Sequence, residues 1–371
     1  MNNLTGLAES FVKNIGVLAK GNDPQYKVTP VGFLKYLLEN PLRYEISNLK
    51  QIQEGHEHEL KIRYMQRGTE SEVTDRDDCL TNITPAWKTA TIARPYFSKI
   101  AISIPDSEIR KWDSAASGKS NAGGVDILNA LYMTALVKIN GLLQKIDANL
   151  LLAQNDKWGV NAVTGSNAVQ AVNFTNTPQI SDGIVRLLKD YQDNEMAEVP
   201  VIVGNGIVSS YNLLQSMKAG IDSGGFGANQ TYKLYNDPKS ASVWGANHFG
   251  VFAPGFTGFV DFNKYVGGFR HNGTSVKFTL PVPFELASGE LSALTLDAQL
   301  KYQDCNVYDE DNNLITREGW IFLLSKSYGL FNSPADMFKA TVPAIPEVSP
   351  AIPGDRLQGV NGTFHYVGTS A

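Results

Sequence analysis

A glycine turn after an apolar run is the best candidate for binding a small molecule. Gly204-Asn205-Gly206 follows the apolar stretch 199–203 and precedes residues 207–217, which have helical periodicity. A strand, a glycine turn and a helix N-terminus can together bind phosphate. The dinucleotide fingerprint, however, needs a third glycine where Ser209 stands, and no Gly-Lys-Ser or Gly-Lys-Thr follows. The sequence therefore favours a plain tight turn over a phosphate site.

Two segments could supply metal ligands. Residues 309–318 are rich in Asp and Asn, but Leu314 stands where a calcium loop needs glycine and Trp320 where it needs glutamate. His56 and His58 would share one face of a strand, which suits two ligands, yet no third ligand follows at a matching spacing. A charged hairpin turn and a solvated charged segment are the favoured interpretations.

No residue pattern points to nucleophilic or acid–base catalysis. The sequence has no Gly-x-Ser-x-Gly turn. Cys79 and Cys305 lie far apart among charged residues, which predicts two free thiols in a reducing compartment. The five histidines have no partner signature: His56, His58, His248, His271 and His365. We therefore predict no catalytic, cofactor-binding or metal-binding residue, and we expect that the chain is not an enzyme.

The composition is that of a folded protein with an acidic balance. The 371 residues are 43% hydrophobic and 19% charged, which excludes wholesale disorder and predicts two or three domains. The net charge of −5 argues against a protein that coats nucleic acid with its whole surface, although a locally basic patch is left open. The first 20 residues have no basic segment, and no run approaches about 18 apolar residues, so neither a secretory signal nor a membrane span is predicted.

The N-terminal 40 residues are predicted to form two short amphipathic helices. Thr29 and Pro30 are a typical start for the second helix, and Asn40-Pro41 is a typical end. Because two short helices cannot bury both apolar faces on each other, we expect an arm that lies across another surface. The apolar face of the first helix comprises Leu4, Leu7, Ala8, Phe11, Val12, Ile15 and Leu18.

A long hairpin is predicted to follow. Apolar and polar residues alternate over 60–65, a strongly charged stretch occupies 67–78, and a strand pattern returns over 87–104. A lone hairpin is marginally stable in water, and an exposed edge that carries Trp87 favours aggregation. The hairpin therefore requires a partner surface, supplied by its own domain or by a neighbouring chain.

The strongest helical pattern extends from about residue 124 to 154. At about thirty residues it is far longer than the average helix of about 11–12 residues. Asn121 can cap it. Gly141 in its middle costs about 1 kcal/mol relative to alanine, and we expect that the close approach of another element compensates. A coiled coil is the alternative, although the apolar face is broader than a two-position seam.

The rest of the chain alternates helix and strand patterns and ends in a proline-rich segment. This middle block is predicted to be an α/β domain with antiparallel strands beside it. From residue 340 four prolines favour extended backbone, and a short strand pattern returns at 361–367. The elements predicted before that are helices at 180–191 and 207–217, a buried strand at 199–204, and two long paired strands at 294–308 and 315–327.

In this order the parts resemble the HK97-type fold of tailed-bacteriophage major capsid proteins. The stretches VPVIVGNGIVSSYNLLQSMKAG (199–220), VWGANHFGVFAPGFTGFVDF (243–262) and REGWIFLLSKSYGLFN (317–332) carry the resemblance. They look like that family's axial-domain strand, turn and helix, the strand pair that follows, and the closing strand. The resemblance covers nearly the whole chain in order, but no cross-linking lysine or asparagine of the family can be placed.

The resemblance implies an α+β fold in five parts. These are an N-terminal helical arm (1–55), an extended hairpin loop (56–105), a peripheral domain with the long spine helix (106–160 and 290–340), an α/β axial domain (161–289) and a proline-rich C-terminal tail (341–371).

By the same resemblance, the chain would be a major capsid protein that assembles into the icosahedral shell around a double-stranded DNA phage genome. Its implied partners are copies of itself in hexamers and pentamers, the packaged DNA indirectly, and portal, scaffold and accessory capsid proteins, with no membrane. Its implied place is the virion, after assembly in the cytoplasm of the host bacterium. Three alternatives stay open: an encapsulin-type protein compartment, another virion component such as a tail or sheath protein, and an α/β enzyme that binds a phosphorylated ligand at Gly204–Gly206.

Overall fold

The computed structural model describes residues 2–19, 27–41, 46–54, 59–65, 87–92, 95–105, 123–158, 160–161, 170–173, 199–205, 233–265, 268–286, 290–308, 312–334, 357–358 and 362–369. Several predicted features lie outside these residues: the cap at Asn121, the helices at 180–191 and 207–217, the charged stretch at 67–78, His56, His58, Cys79 and the proline-rich segment.

The fold is mixed, and most of its elements are strands. The described helices are α1 (Asn2–Ala19), α2 (Gly32–Glu39), α3 (Leu49–Glu54), α4 (Gly123–Lys157) and α5 (Ser240–Val243). The described strands are β1 (Leu60–Met65), β2 (Trp87–Ile92), β3 (Tyr96–Pro105), β4 (Val160–Asn161), β5 (Gln170–Asn173), β6 (Val201–Gly204), β7 (Lys233–Asn236), β8 (His248–Phe252), β9 (Thr257–Phe262), β10 (Arg270–Asn272), β11 (Ser275–Glu285), β12 (Leu291–Tyr308), β13 (Leu314–Asn332), β14 (Leu357–Gln358) and β15 (Thr363–Thr369).

The chain forms two compact units, each assembled from three separate stretches. Unit 1 comprises Met1–Pro30, Tyr96–Ile146 and Asp261–Tyr328, and unit 2 comprises Val31–Pro95, Asp147–Val260 and Gly329–Ala371. The expected arm and hairpin loop therefore each contribute residues to both units. The two units are defined by compactness alone, whereas the five predicted parts are defined by their roles in assembly. The five-part division therefore stays a prediction.

Unit 1 is built on a sheet of unusually long strands. Five of its strands lie in the order β10–β11–β12–β13–β3, and all four neighbouring pairs are antiparallel. β12 and β13 are 18 and 19 residues long and pair from Asp297↔Ser325 to Tyr308↔Leu314. The predicted pairing of two long strands is thus confirmed, and residues 309–313 connect two paired strands.

Helix α1 packs on this sheet with the apolar face that the sequence predicts. The ring centroid of Phe11 lies 4.5 Å from that of Phe322 and 5.1 Å from that of Tyr132 in α4. Ala8 and Ile15, on the same face, are fully buried. This part of the arm therefore lies across another surface, as expected, and its own chain supplies that surface. The periodicity reveals an apolar face, but it does not reveal that strands from the far end of the chain cover it.

Helix α2 is also buried within its own unit. It begins at Gly32, and Val31 at the N-cap makes no side-chain hydrogen bond, so the predicted start at Thr29-Pro30 is wrong. Carboxylates from distant parts of unit 2 accept its first N–H groups, and a local sequence cannot reveal a cap of this kind. The residues that it buries include Phe33, Leu34, Tyr36 and Leu37.

Unit 2 contains a mixed five-stranded sheet in the order β5–β15–β8–β6–β7. All four residues of β6 are buried, which confirms the buried strand predicted at 199–204. The strand predicted at 361–367 corresponds to β15, which lies inside the sheet, parallel to β5 and antiparallel to β8. Aromatic rings from α2, from the residues that directly follow α4 and α5, and from β8 contact one another: Phe33, Tyr36, Trp158, Trp244 and Phe252.

The predicted strand at 87–104 is two strands. β2 ends at Ile92 and pairs with β1, whereas β3 begins at Tyr96 and pairs with β13. Pro95 between them lacks the N–H group that a continuous ladder requires. The expectation of one long hairpin over 60–105 is therefore wrong, and the paired strands of the hairpin are β1 and β2 alone.

Helix α4 confirms the long predicted helix, with 35 residues. The expectation that another element approaches Gly141 closely is wrong, because a Cβ at this position would have no atom within 4 Å. Gly204 is the opposite case. It pairs with Phe249 across the sheet, and a Cβ on Gly204 would lie 2.6 Å from the Phe249 Cβ.

We predict opposite effects for alanine at these two glycines. Gly141→Ala should raise the free energy of unfolding by about 0.5–1 kcal/mol, because it only removes backbone freedom from the unfolded chain. Gly204→Ala should lower it by about 1–3 kcal/mol through overpacking against β8. Urea denaturation of both variants measures the difference, and equal effects would contradict the packing described for Gly204.

Candidate functional site

An exposed β-structure in unit 2 is the hairpin of β1 and β2, called here the edge hairpin. The two strands pair antiparallel over six residues each, from Leu60↔Ile92 to Met65↔Trp87. Leu60, Ile62 and Tyr64 of β1 are buried, as their alternation predicts. The inner face of β1 is therefore part of the core of unit 2.

β2 is different, because none of its six residues is buried. Trp87 at its start is 60% exposed and Met65 opposite is 44% exposed. The Arg63 guanidinium lies 5.3 Å from the centroid of the Trp87 ring, a cation–π contact on the open side of the hairpin. An aromatic side chain and an apolar side chain thus remain in water at the end of a strand pair.

Contacts at the base of the edge hairpin fix its position in unit 2. A Cβ on Gly329 would lie 3.2 Å from Ile92 Cγ2 and 3.5 Å from Leu60 Cδ1, so the hairpin base fits closely over that glycine. The other edge of β1 is covered, because the Ser47 N–H donates to the Lys61 carbonyl at 2.8 Å. Within the described residues, the outer edge of β2 pairs with no further strand.

A second cluster, called here the acid pair, consists of Asp147 and Asp237 at the start of α2. The Phe33 N–H donates to Oδ2 of Asp237 at 2.9 Å, and the Leu34 N–H donates to Oδ1 of Asp147 at 2.8 Å. Both aspartates are fully buried. The first N–H groups of a helix have no partner inside it, so these two bonds do the work of a local cap.

The two carboxylates of the acid pair have unequal surroundings. Asp237 accepts a second N–H bond, from Lys239 at 2.9 Å, whereas Oδ2 of Asp147 is buried without a well-formed hydrogen bond. Burial, and next the negative charge of Asp237, raise the pKa of Asp147 to about 8. The pair therefore holds a proton at neutral pH, and Asp147 is placed to carry it because its Oδ2 accepts no N–H bond.

The third cluster is a pair of histidines that no sequence motif connects. Nε2 of His365 lies 3.1 Å from Nδ1 of His248, and the His365 ring stacks on the Trp158 ring at 4.7 Å and 11°. Burial lowers the pKa of both histidines, and the His248 charge lowers that of His365 further, to about 3. Since a neutral imidazole has one donor and one acceptor nitrogen, two neutral rings satisfy this bond.

The structure gives Gly204 a packing role, and among the candidate residues that are described it brings together only His248 and His365. Gly204 lies against Phe249, which explains the glycine without a ligand, while Gly206 and the segment after it are outside the described residues. So are His56, His58 and Asp309 to Asp311. Among the residues that are described, no group of three or more His, Cys, Asp or Glu side chains could hold a metal ion. Nor is any helix among them long and apolar enough to cross a membrane.

The chain is similar in structure to proteins of several bacteriophages. A chain of Mycobacterium phage Adephagia aligns at a TM-score of 0.42 and 10% identity, covering 97% of each chain. A chain from the capsid structure of cyanophage P-SCSP1u aligns at 0.39 and 11% identity, covering 90% of this chain and 87% of that one. A chain from the capsid structure of Staphylococcus phage Andhra aligns at 0.38 and 9% identity, covering 94% and 88%.

Capsid structures of phages are therefore among the structural neighbours of the chain, as the resemblance in sequence implies. No family model matches the chain, and no curated protein matches it in sequence.

The histidine pair predicts a loss of stability in acid. The pKa of His365 is 6.5 before folding and about 3 after it, so the unfolded chain binds the proton more readily between these values. The free energy of unfolding should fall as the pH falls from about 6.5 towards 3, by up to about 1.4 kcal/mol per pH unit. Denaturation at pH 7, 6 and 5 should give a flatter dependence for His365→Phe than for the wild type. His271→Phe, at an exposed histidine, is the matched control, and equal slopes for all three proteins would contradict the prediction.

Proposed function

We propose that the chain is the subunit of a self-assembling protein shell, the major capsid protein of a tailed bacteriophage with an HK97-type fold. Its role is structural and not enzymatic. The copies associate through surfaces that a single subunit leaves in water, and a closed lattice holds them together by mass action.

The observation that carries this proposal is the edge hairpin. Its outer strand has no buried residue, its edge is unpaired within the described strands, and Trp87 is 60% exposed. A chain of 21 residues, 66–86, joins the two strands beyond Met65 and Trp87. A ribbon of two strands is marginal in water, and an open edge invites pairing with another chain. A neighbouring subunit supplies the missing surface.

The longer elements support the finer fold assignment. Helix α4 is the spine helix of the peripheral domain (106–160 and 290–340), and the ladder of β12 and β13 closes that domain. The mixed sheet around β6 belongs to the axial domain (161–289), the edge hairpin is the base of the extended loop (56–105), and α1 and α2 lie in the N-terminal arm (1–55). The proline-rich tail (341–371) returns as β15.

The proposal implies definite partners. Copies of the chain form hexamers and pentamers. The shell encloses double-stranded DNA but does not bind it with its whole surface. Portal, scaffold and accessory proteins join the shell. The chain is then part of the virion, assembled in the bacterial cytoplasm. The alternative of a phosphate-binding enzyme loses its main support, since Gly204 is explained by its contact with Phe249.

We predict that Trp87→Ala weakens assembly without unfolding the subunit. Exposed substitutions change stability by about 0.5 kcal/mol or less, whereas an aromatic anchor at an interface contributes about 2 kcal/mol, roughly 30-fold in a dissociation constant. Sedimentation velocity should show fewer closed shells at equal protein concentration, with an unchanged denaturation midpoint. Trp87→Phe, which keeps a ring, should retain most of the assembly. Normal assembly of the alanine variant would show that the edge hairpin is not part of the interface between subunits.

Deletion of 69–78 tests the same proposal on a larger scale. This charged stretch lies between the two strands of the edge hairpin in sequence, and its loss leaves the described contacts of both units in place. We expect a folded subunit with a normal circular dichroism spectrum that forms no closed shells in negative-stain electron microscopy. Shells of normal size and number would be incompatible with an inter-subunit role for the hairpin.

A further inference from the structure

The acid pair joins two places at which the chain enters unit 2. Val31, next to α2, and Asp147, within α4, are each the first residue of a stretch that belongs to this unit. We propose that Asp147 and Asp237 form a proton-controlled clamp, which holds the start of α2 while Asp147 carries a proton and loosens the helix when that proton is lost.

The geometry requires one proton in the pair. Two carboxylates with no exposed surface face the same helix start, and the buried Oδ2 of Asp147 has no well-formed hydrogen bond. Two negative charges side by side, away from water, strongly repel each other. A proton on Asp147 Oδ2 removes one charge and provides a donor for the neighbouring carboxylate.

The helix start is shaped to fit Asp237. Gly32 has a φ of +53°, and a Cβ at this position would lie within 3 Å of several atoms of the Asp237 side chain. A residue with a side chain would therefore collide with the carboxylate and would also be strained. Because this fit is close, a shift of Asp237 moves the first turn of α2, and Asp147 acts on the same turn through the bond from the Leu34 N–H.

The charges around the pair do not replace the proton. From the turn before α5, Lys239 acts on Asp147 in the direction of a lower pKa, as does the Leu34 N–H bond, but burial and Asp237 outweigh both. On α2 itself, Lys35 lies 3.9 Å from Glu39, at the other end of the helix. Glu39 also accepts a hydrogen bond from the Tyr235 hydroxyl, so the C-terminal end of α2 has its own polar attachment.

The carboxyl group of Asp147 is harder to ionise when α2 is docked, so it binds its proton more tightly in the docked state. The pKa of Asp147 rises from 3.8 to about 8. The docking of α2 is therefore strongest below about pH 4, weakens as the pH rises towards 8, and stays weak above that value.

Hydrogen exchange followed by mass spectrometry on the full-length protein tests the clamp. The readout is the exchange of the backbone amides of α2 at pH 6 and pH 9 in the wild type and in Asp147→Asn, compared at equal pH. The asparagine keeps the acceptor for Leu34 and offers a permanent N–H donor in place of the proton. Glu39→Gln is the matched control, because it removes one carboxylate from the opposite end of the same helix.

The weakening of docking between pH 4 and pH 8 belongs to the wild type alone, because asparagine does not titrate. Between pH 6 and pH 9 the ratio of wild-type to Asp147→Asn opening should therefore increase about ten- to a hundredfold, and Glu39→Gln should follow the wild type. The same ratio at pH 6 and at pH 9 would overturn the proposal. So would failure of Asp147→Asn to fold at pH 6, since it should match the protonated wild type there. The experiment reads helix docking and not assembly, so its outcome is independent of the proposed function.

Discussion

The antiparallel pairing of β12 with β13 is the interaction on which most of the described structure depends. It extends from Asp297↔Ser325 to Tyr308↔Leu314, and β11 and β3 add to its two sides. The ring of Phe11 in α1 packs against the ring of Phe322 in β13. The same strand continues to Gly329, over which Leu60 and Ile92 of the edge hairpin fit. Gly329, just beyond the ladder in the same strand, is thus one of the residues that fix the base of the edge hairpin in unit 2.

The buried polar groups of unit 2 give it opposite responses to acid and to base. The histidine pair is buried in its neutral form, so acid favours unfolding. The acid pair holds a proton that alkali removes, so base loosens the start of α2. The unit is therefore best packed in a window between the two. The boundaries of this window come from burial and from neighbouring charges of like sign, which the net charge of the chain does not reveal.

Sequence periodicity predicted the elements whose burial pattern is local. The long helix α4, the buried strand β6 and the pair of long strands all have apolar residues at regular spacing, and all three are present. The failures occur where distant residues decide the structure. The start of α2 depends on Asp147 and Asp237, the burial of Phe11 depends on Phe322, and the role of Gly204 depends on Phe249. The break between β2 and β3 has a local signal in Pro95, since proline removes a ladder donor. The two histidines are 117 residues apart, and no local signal joins them.

Contacts between distant parts of the sequence have a consequence for biosynthesis. Helix α1 is synthesised long before the strand on which Phe11 packs, because Phe322 lies far along the chain from Phe11. β15 lies between β5 and β8, which both precede it in sequence. Unit 1 therefore cannot complete the packing of Phe11 before β13 is synthesised, and unit 2 cannot complete its sheet before β15 is synthesised. Contacts of such long sequence separation form slowly and expose newly made chains to misassociation.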